Sequence, residues 1–251
     1  MKKIGIIGYG TIGTYLVQKI KGDKELELAF VYDIDKNKTS SLEELCLDNF
    51  EDFSTREANL IVECAMPQAV FDYAPLVLTN TDMLIFSITS LADDSFREKL
   101  EDICRENKTK LYVPHGAILG LDGIYDGRNV LKKVKITTIK NPKSLNRDDI
   151  KLTQVYSGST KEACKLYPRN VNVHAALALA GIGFNNTISE IISDPNTDVN
   201  SHMIEAEGNG TEFKIEVKSK RKGLVTGTYT LESAYNTIKR ICSKNYGINI
   251  I

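Results

Sequence analysis

The first 113 residues alternate short apolar runs with amphipathic stretches, which is typical of alternating strands and helices. The predicted strands are Lys3–Ile7, Leu26–Tyr32, Leu60–Cys64, Met83–Ser87 and Leu111–Val113. The predicted helices are Thr11–Ile20, one that begins at Pro67, Ser95–Asn107 and a short one around Leu42–Cys46. This alternation implies right-handed crossovers and a parallel sheet. We therefore expect residues 1–113 to form an α/β domain with a Rossmann-type doubly wound sheet.

The pattern changes after residue 113, where longer β-rich pieces replace the regular alternation. The predicted strands are Lys133–Ile139, Leu152–Ser157, Glu212–Lys218 and Leu224–Tyr229, and the predicted helices are Thr160–Tyr167 and Val173–Phe184. This order predicts a second, α+β domain over residues 114–228, with an open mixed sheet and helices on one face. A last helix within residues 229–251, centred on Leu231–Cys242, is expected to pack back on the first domain.

Composition narrows the class of protein. The 251 residues carry a formal net charge of −1. The chain therefore lacks the surplus of basic residues that is typical of proteins that bind nucleic acids. No apolar run approaches the ~20 residues that a membrane helix requires. The five cysteines are widely spaced without a C-x-x-C motif, which predicts neither a disulfide framework nor a metal site. Met1 leads within two residues into a strand, so we expect no signal peptide and a cytoplasmic location.

The segment between the first two predicted strands carries the most specific motif. Gly8, Gly10 and Gly13 form G-x-G-x-x-G directly after the first strand. Such glycines permit a tight turn, close approach of the backbone to a pyrophosphate and close packing of helix on strand. The helix that follows offers the N–H groups of its first turn, at Thr11 and Ile12, to the phosphates. A glycine-rich turn in another α/β fold is the alternative.

Asp33 ends the second predicted strand, 20 residues after the last glycine of the motif. Its carboxylate can accept hydrogen bonds from an adenosine ribose and would repel a 2′-phosphate, which predicts NAD as the cofactor. Lys36 lies close enough in sequence to soften that repulsion, so NADP stays an alternative. Cys64 and Ala65 follow the third strand and are expected at the same cofactor edge, with core packing as the simpler role of the Cys64 thiol.

Polar residues in the second domain are the candidates for substrate binding. His115 lies in the glycine-rich segment 114–123, which is expected to act as a hinge, to approach the nicotinamide, or both. Arg169 and Asn170 precede a strongly apolar helix, where Asn170 could cap the helix or both could bind anionic groups. Lys140 is a further candidate donor to a substrate carboxylate.

Two further histidines have different expected roles. His202 ends the polar stretch 193–202, which is predicted to be a loop. A histidine near its ordinary pKa of about 6.5 can transfer protons near neutrality, so His202 is the preferred catalytic residue. His174 lies on an apolar helix and is expected to be a hydrogen-bonded interior histidine.

Six segments together resemble the L-aspartate dehydrogenase family: GYGTIG, VYDID, VECAMPQAV, PHGAILGLDGI, YPRNVNVHAALALAG and NSHMIEAEGNG. They are spread over most of the chain and keep the family order. The resemblance implies that Ala117 and Asn172 contact NAD and that His202 is the active-site residue. It also implies a homodimer that oxidises L-aspartate to iminoaspartate, which water converts to oxaloacetate and ammonia, with a link to pyridine-nucleotide biosynthesis.

Two alternatives stay open at this point. The first is another two-domain NAD(P)-dependent dehydrogenase, acting on a semialdehyde or an imine. Paired lysines or a histidine pair are frequent in such catalytic domains, and the sequence does not show them. The second is a regulator that senses the dinucleotide without catalysis, which binding without turnover of any amino acid would indicate.

Overall fold

The computed structural model describes residues 1–222 and 226–243, which divide into two compact units. The first unit contains Met1–Pro114 and the part of the last helix that begins at Ala234. The second unit contains His115–Ser233. Within the described ranges, no helix is long and apolar enough to cross a membrane.

The first unit alternates strands and helices along the chain. Its elements are β1 (Lys2–Ile7), α1 (Thr11–Lys21), β2 (Leu26–Tyr32), α2 (Lys36–Thr39), β3 (Leu60–Glu63), α3 (Pro67–Val77), β4 (Asp82–Ile85), α4 (Asp94–Asn107) and β5 (Leu111–Tyr112). All paired strands are parallel, in the order β2-β1-β3-β4-β5. The Rossmann-type sheet is therefore confirmed. The strand order reverses between β1 and β3, and ligands of such sheets bind beyond the carboxyl ends of the strands at this point.

The long polar stretch after β2 differs from its prediction. Instead of one short helix around residues 42–46, it contains α2 and two 3-10 segments, Ser40–Leu45 and Phe50–Thr55. Phe50 and Phe53 are buried and their rings stack with centroids 4.9 Å apart. Aromatic burial therefore orders a segment whose polar composition gave little helical signal.

The second unit is built on a mixed sheet. Its elements are α5 (Leu121–Gly127), β6 (Leu131–Lys140), β7 (Thr153–Ser159), α6 (Thr160–Leu166), α7 (Asn172–Ala180), β8 (Ile188–Ser193), β9 (Val199–Gly208), β10 (Thr211–Lys222), β11 (Thr226–Gly227) and the start of α8 (Thr228–Cys242). The strand order is β11-β10-β9-β6-β8-β7. β6 and β8 are parallel, and the other neighbours are antiparallel. The predicted mixed sheet is confirmed.

One face of this sheet forms the core of the second unit. Val134 and Ile136 of β6 pack with Ile204 of β9 and Leu177 of α7 in one buried cluster. Side chains two apart on a strand share a face. The row on β6 therefore continues from apolar residues to Thr138 and Lys140, so that the core face becomes polar toward the end of this strand.

Three elements of the second unit were not predicted. α5 begins within the glycine-rich segment 114–123, β8 lacks a predicted counterpart, and β9 begins within the stretch predicted as the loop 193–202. That last assignment was wrong because the turn signals end before Val199, after which the chain pairs on both sides with β6 and β10. In the predicted strand Leu224–Tyr229, residues 224 and 225 lie outside the described residues, and Tyr229 belongs to α8.

The last helix joins the core of the first unit through its second half. Ala234 and Ile238 are fully buried among the residues that pack on β1 and α1. Lys239 forms an ion pair with Asp23 at 3.0 Å, and Asp23 also accepts a hydrogen bond from Tyr235. The predicted helix over 229–251 thus begins at Thr228 and ends at Cys242, and its residues before Ala234 belong to the second unit. Residues 244–251 lie outside the described residues.

Truncating Ile238 to alanine should lower the free energy of unfolding by about 2–5 kcal/mol, because the side chain is fully buried and its removal leaves a cavity. The matched control is Ile150→Ala, since Ile150 is 93% exposed, and it should change the stability by less than about 0.5 kcal/mol. Urea titration of both variants measures the difference. Equal destabilisation of the two variants would contradict the docking of α8 on the first core.

Candidate active site

The glycine turn between β1 and α1 has the geometry that a dinucleotide requires. Gly8 has a φ of +96°, and a Cβ there would lie 2.8 Å from the Cβ of Ala65. A Cβ on Gly13 would lie 2.0 Å from the carbonyl oxygen of Gly8. At Gly10, by contrast, a Cβ would meet no described atom within 4 Å. The turn is therefore tight and closely packed underneath but open above, beside the first N–H groups of α1, and these residues fit a bound pyrophosphate.

Asp33 is fixed to this turn by main-chain hydrogen bonds. Its Oδ2 accepts from the N–H of Tyr9 at 2.7 Å, and its Oδ1 accepts from the N–H of Asp35 at 2.9 Å. Each carboxylate oxygen has a second lone pair for a ribose hydroxyl. The neighbouring cation is Lys38, with Nζ 3.7 Å from Oδ1, and not Lys36, whose Nζ donates to the carbonyl of Leu47.

Glu63, at the end of β3, is a buried carboxylate that the sequence interpretation missed. Its oxygens accept from the N–H of Ala65 at 2.7 Å, from the N–H and hydroxyl of Ser87 at 3.0 and 2.7 Å, and from the N–H of Phe86 at 3.2 Å. Burial raises the pKa of Glu63 against the effect of these bonds. The side chain joins the loops after β3 and β4, so it shapes the carboxyl edge of the sheet.

Cys64 lies underneath the glycine turn. Its thiol donates toward the carbonyl oxygens of Ile7 and Gly8, at 3.4 and 3.3 Å. Burial, followed by the charges of Glu63 and Asp33, raises the pKa of Cys64 well above its ordinary value. The thiol is thus protonated and unreactive near neutrality, and in this position it supports the turn.

Two histidines meet at one threonine hydroxyl in the core of the second unit. Thr138 on β6 lies directly opposite His202 on β9. The Oγ1 of Thr138 is 2.8 Å from Nδ1 of His202 and 2.6 Å from Nε2 of His174, which α7 contributes. The other nitrogen of His174 is 2.9 Å from the hydroxyl of Ser189. His174 is therefore a fully hydrogen-bonded interior histidine, as predicted, but it is also connected to His202.

His202 is a strand residue and is 4% exposed, which corrects its predicted position in a loop. Burial, and then the charge of Lys140, lowers the pKa of His202 to about 3. The expectation of a pKa near 6.5 is thus wrong, because it assumed a solvated side chain. The ring is neutral at physiological pH, and its Nε2 forms no hydrogen bond with any residue that the structure describes.

Lys140 ends β6 on the same face and is 3% exposed. Its Nζ lies 3.3 Å from both the main-chain oxygen and the Oδ1 of Asn170. It forms no ion pair within the described ranges, and burial lowers the pKa of Lys140 to about 8. The capping role considered for Asn170 is wrong, since α7 is preceded by Val171 and Asn170 instead binds Lys140. A buried ammonium without a carboxylate partner is a ready site for an anionic group.

The remaining predicted residues occupy several places in the second unit. The Nδ1 of His115 donates to the carbonyl of Ile118 at 2.8 Å, and Ala117 is buried in the same turn. Arg169 is exposed, and Asn172 is the half-buried first residue of α7. Among the described residues, no group of three or more His, Cys, Asp and Glu side chains could hold a metal ion.

Thr138, Ser189 and Thr160 are buried polar residues next to the histidines that the sequence interpretation did not single out. All three are 1% exposed or less. The signal for Thr138 was available, because a threonine and a lysine continue the inward-facing row of Val134 and Ile136. That signal depends on the strand face, which could be assigned only after β9 and β8 had been recognised as its neighbours.

Two family models match consecutive parts of the chain. Residues 8–114 match a model described as homoserine dehydrogenase, NAD binding domain. Residues 124–241 match a model described as aspartate dehydrogenase, C-terminal. The two matches correspond closely to the two structural units.

Full-length relatives and solved structures agree with these matches. An L-aspartate dehydrogenase of Nitrosopumilus maritimus is 37% identical over 99% of both chains. One of Thermotoga maritima is 35% identical over 95% of this chain and 97% of the relative. The crystal structure of aspartate dehydrogenase from Thermotoga maritima has a TM-score of 0.80 at 30% identity, covering 98% of this chain and 99% of that one. A myo-inositol dehydrogenase from Corynebacterium glutamicum, at 13% identity, TM-score 0.53 and coverage of 96% and 87%, shares the fold alone.

Proposed function

We propose that this chain, which belongs to the L-aspartate dehydrogenase family, oxidises L-aspartate by NAD(P)-dependent hydride transfer from Cα. The observation that carries the mechanism is the pair of buried groups on one face of the second sheet: the neutral imidazole of His202 and the ammonium of Lys140. When bound, the dinucleotide supplies the hydride acceptor at nicotinamide C4. The product iminoaspartate is hydrolysed to oxaloacetate and ammonia. Family membership decides against the semialdehyde or imine dehydrogenase and the non-catalytic regulator.

His202 is the general base in this proposal. An ammonium cannot become an iminium while it keeps all its protons, so the substrate amine must lose a proton before hydride leaves Cα. The imidazole of His202 is neutral and can accept that proton at Nε2, while Nδ1 stays bonded to Thr138 at 2.8 Å. Proton transfer by a positioned side chain typically contributes about 10²–10⁴-fold to the rate.

Lys140 binds a substrate carboxylate in this proposal and also adjusts the base. Its charge is one of the causes that lower the pKa of His202. A carboxylate paired with Lys140 offsets that charge, so substrate binding raises the pKa of His202 toward the useful range. Asn170 orients the ammonium through its two contacts, and we retain Arg169 and His115 as further candidate substrate contacts.

The first unit binds the dinucleotide in this proposal. The main chain around Gly8, Gly10 and Gly13 receives the pyrophosphate with the N–H groups of Thr11 and Ile12. Asp33 accepts from the adenosine ribose, which favours NAD, and Ala65 lines the same edge.

Other parts of the assignment derive from the family and remain proposals. Ala117 and Asn172 are proposed to contact NAD, and Cys64 to support the cofactor turn from below. We further propose a cytoplasmic homodimer whose iminoaspartate feeds pyridine-nucleotide biosynthesis.

Replacing His202 with asparagine should reduce kcat for L-aspartate by about 10²–10⁴-fold, because Asn keeps a donor for Thr138 but has no basic nitrogen. NADH formation from L-aspartate at alkaline pH measures the effect. The affinity for NADH, measured by fluorescence, should stay within a factor of about two, because no dinucleotide contact is changed. Turnover at the wild-type level would remove His202 from the mechanism.

Binding of a dicarboxylate should weaken above pH 8, because Lys140 has a pKa of about 8 and attracts carboxylates only when protonated. Succinate isolates the effect, since it has no amine that titrates. Its inhibition constant should rise about tenfold per pH unit above that value. In Lys140→Met it should be about 10–100-fold higher at pH 7 and independent of pH.

The matched control for this experiment is Lys133→Met, on the same strand but on the opposite face, where the side chain is 71% exposed. This variant should keep the wild-type inhibition constant and its pH dependence. A similar loss in both variants would mean that general charge, and not the buried ammonium, attracts the dicarboxylate.

Asp33→Ser should shift the ratio of kcat/KM for NADP to that for NAD upward by at least about tenfold, because it removes a carboxylate that repels a 2′-phosphate. Asp35→Ser removes a charge of the same sign two residues away, on a side chain that is 45% exposed, and should leave the ratio nearly unchanged. Steady-state rates with both cofactors give the comparison. A wild-type enzyme that strongly prefers NADP would contradict the role given to Asp33.

A further inference from the structure

A continuous chain of hydrogen bonds crosses the buried core of the second unit and ends at His202. It begins at the main-chain carbonyl of Thr187, which is 3.0 Å from the hydroxyl of Thr160. That hydroxyl is 2.8 Å from the hydroxyl of Ser189, which is 2.9 Å from Nδ1 of His174. His174 then reaches Thr138 and, through it, His202. Every side chain that takes part in this series of hydrogen bonds is 4% exposed or less, so water does not compete for these bonds.

The carbonyl at one end determines the direction of the first bonds. A carbonyl oxygen can only accept, so the single hydroxyl hydrogen of Thr160 is directed to Thr187. The oxygen of Thr160 must then accept from Ser189. Because the hydroxyl hydrogen of Ser189 is already donated to Thr160, the oxygen of Ser189 accepts from Nδ1–H of His174.

Because both imidazoles are neutral, each has one donor and one acceptor nitrogen, and the direction of donation set at Thr160 continues as far as His202. Burial lowers the pKa of His174 well below its ordinary value, so the ring has one N–H, and that N–H is on Nδ1. Its Nε2 accepts the hydroxyl hydrogen of Thr138. The oxygen of Thr138 accepts from Nδ1–H of His202, which leaves Nε2 of His202 with a lone pair.

We propose that Thr160, Ser189, His174 and Thr138 are positioning residues that hold His202 in the Nδ1–H tautomer and so leave Nε2 free to accept a proton. The catalytic meaning of this tautomer rests on the proposed function, in which Nε2 removes the proton from the substrate amine. The tautomer itself follows from the hydrogen-bond geometry.

The bond from Thr160 to the carbonyl of Thr187 disfavours the opposite direction of donation along the series of hydrogen bonds. If the hydroxyl of Thr160 turned toward Ser189, each later bond would reverse, and His202 would carry its hydrogen on Nε2. A substrate amine would then meet a donor and not an acceptor. The reversed chain loses the bond from the Thr160 hydroxyl to the carbonyl of Thr187, which keeps its bond from the N–H of Thr160 at 2.9 Å. The preference therefore has the size of one hydrogen bond, about two- to tenfold in population.

The test pairs two substitutions at Thr160, which is not one of the proposed substrate contacts. Thr160→Val keeps the shape but removes the hydroxyl, which frees the hydrogen of Ser189 to point at His174. Thr160→Ser keeps the hydroxyl and serves as the matched control. Nitrogen NMR of protein labelled with ¹⁵N-histidine reports which ring nitrogens are protonated, and three histidines make the assignment tractable.

We expect wild-type protein and Thr160→Ser to show His202 protonated on Nδ1 and unprotonated on Nε2 at pH 7. Thr160→Val should shift His202 toward the Nε2–H form and lower kcat about two- to tenfold, with unchanged NADH affinity. A purely structural role would lower stability without moving the tautomer signals.

An Nε2–H signal for His202 in the wild-type protein would overturn the inference, and this spectrum is decisive even where a variant does not fold. An unchanged tautomer in folded Thr160→Val would overturn the role of the Thr160 hydroxyl in setting the direction of the hydrogen bonds. The expected tautomer together with full activity of His202→Asn would instead remove His202 from the proposed mechanism as the general base and leave the positioning chain intact.

Discussion

The hydroxyl of Thr138 has one hydrogen to share between two buried imidazoles, and this limit organises the polar end of the second core. The register of β6 and β9 places His202 opposite Thr138, and α7 places His174 above the same oxygen. The Nδ1–H tautomer of His202 is compatible with this hydroxyl only while His174 is neutral. Protonating His174 would make its Nε2 a donor, so the hydrogen of Thr138 would go to Nδ1 of His202 and His202 would carry its own hydrogen on Nε2. Burial, which lowers the pKa of His174, therefore also maintains the tautomer of His202.

The two units differ in how completely hydrogen bonds compensate their buried charged groups. In the first unit, the carboxylate of Glu63 accepts four hydrogen bonds and is satisfied without a ligand. In the second unit, the ammonium of Lys140 is held by the oxygens of one asparagine. An incompletely compensated buried charge is costly to the fold, and such groups are concentrated at functional sites. The buried carboxylate of the first unit is thus satisfied within the protein, whereas in our proposal an anion completes the site of the second unit.

The sequence predicted the first unit better than the second for a physical reason. G-x-G-x-x-G and Asp33 are local signals, since the turn, the helix start and the acid are within one strand–helix–strand segment. His202 and Lys140 were selected as chemical candidates, but their burial was not foreseen, because it depends on β9 pairing with β6 far away in sequence. The chain from Thr160 to His202 joins residues on several elements, so no local pattern could show it. Lys36 was named as the cation near Asp33 and Lys38 was not considered, because sequence distance does not reveal which side of a helical turn faces Asp33.

The low basicity of His202 follows from the same burial that excludes water, and in the proposed mechanism it makes the base dependent on its substrate. With Lys140 unpaired, both burial and charge oppose protonation of the imidazole. In the proposed mechanism, a dicarboxylic substrate brings negative charge next to Lys140, and that charge stabilises the imidazolium which forms when the amine loses its proton. An amino acid that lacks this carboxylate would leave the ammonium uncompensated and the base weak, even if it entered the site. Selection for aspartate would thus act on the proton transfer itself as well as on binding, because one buried lysine serves both steps.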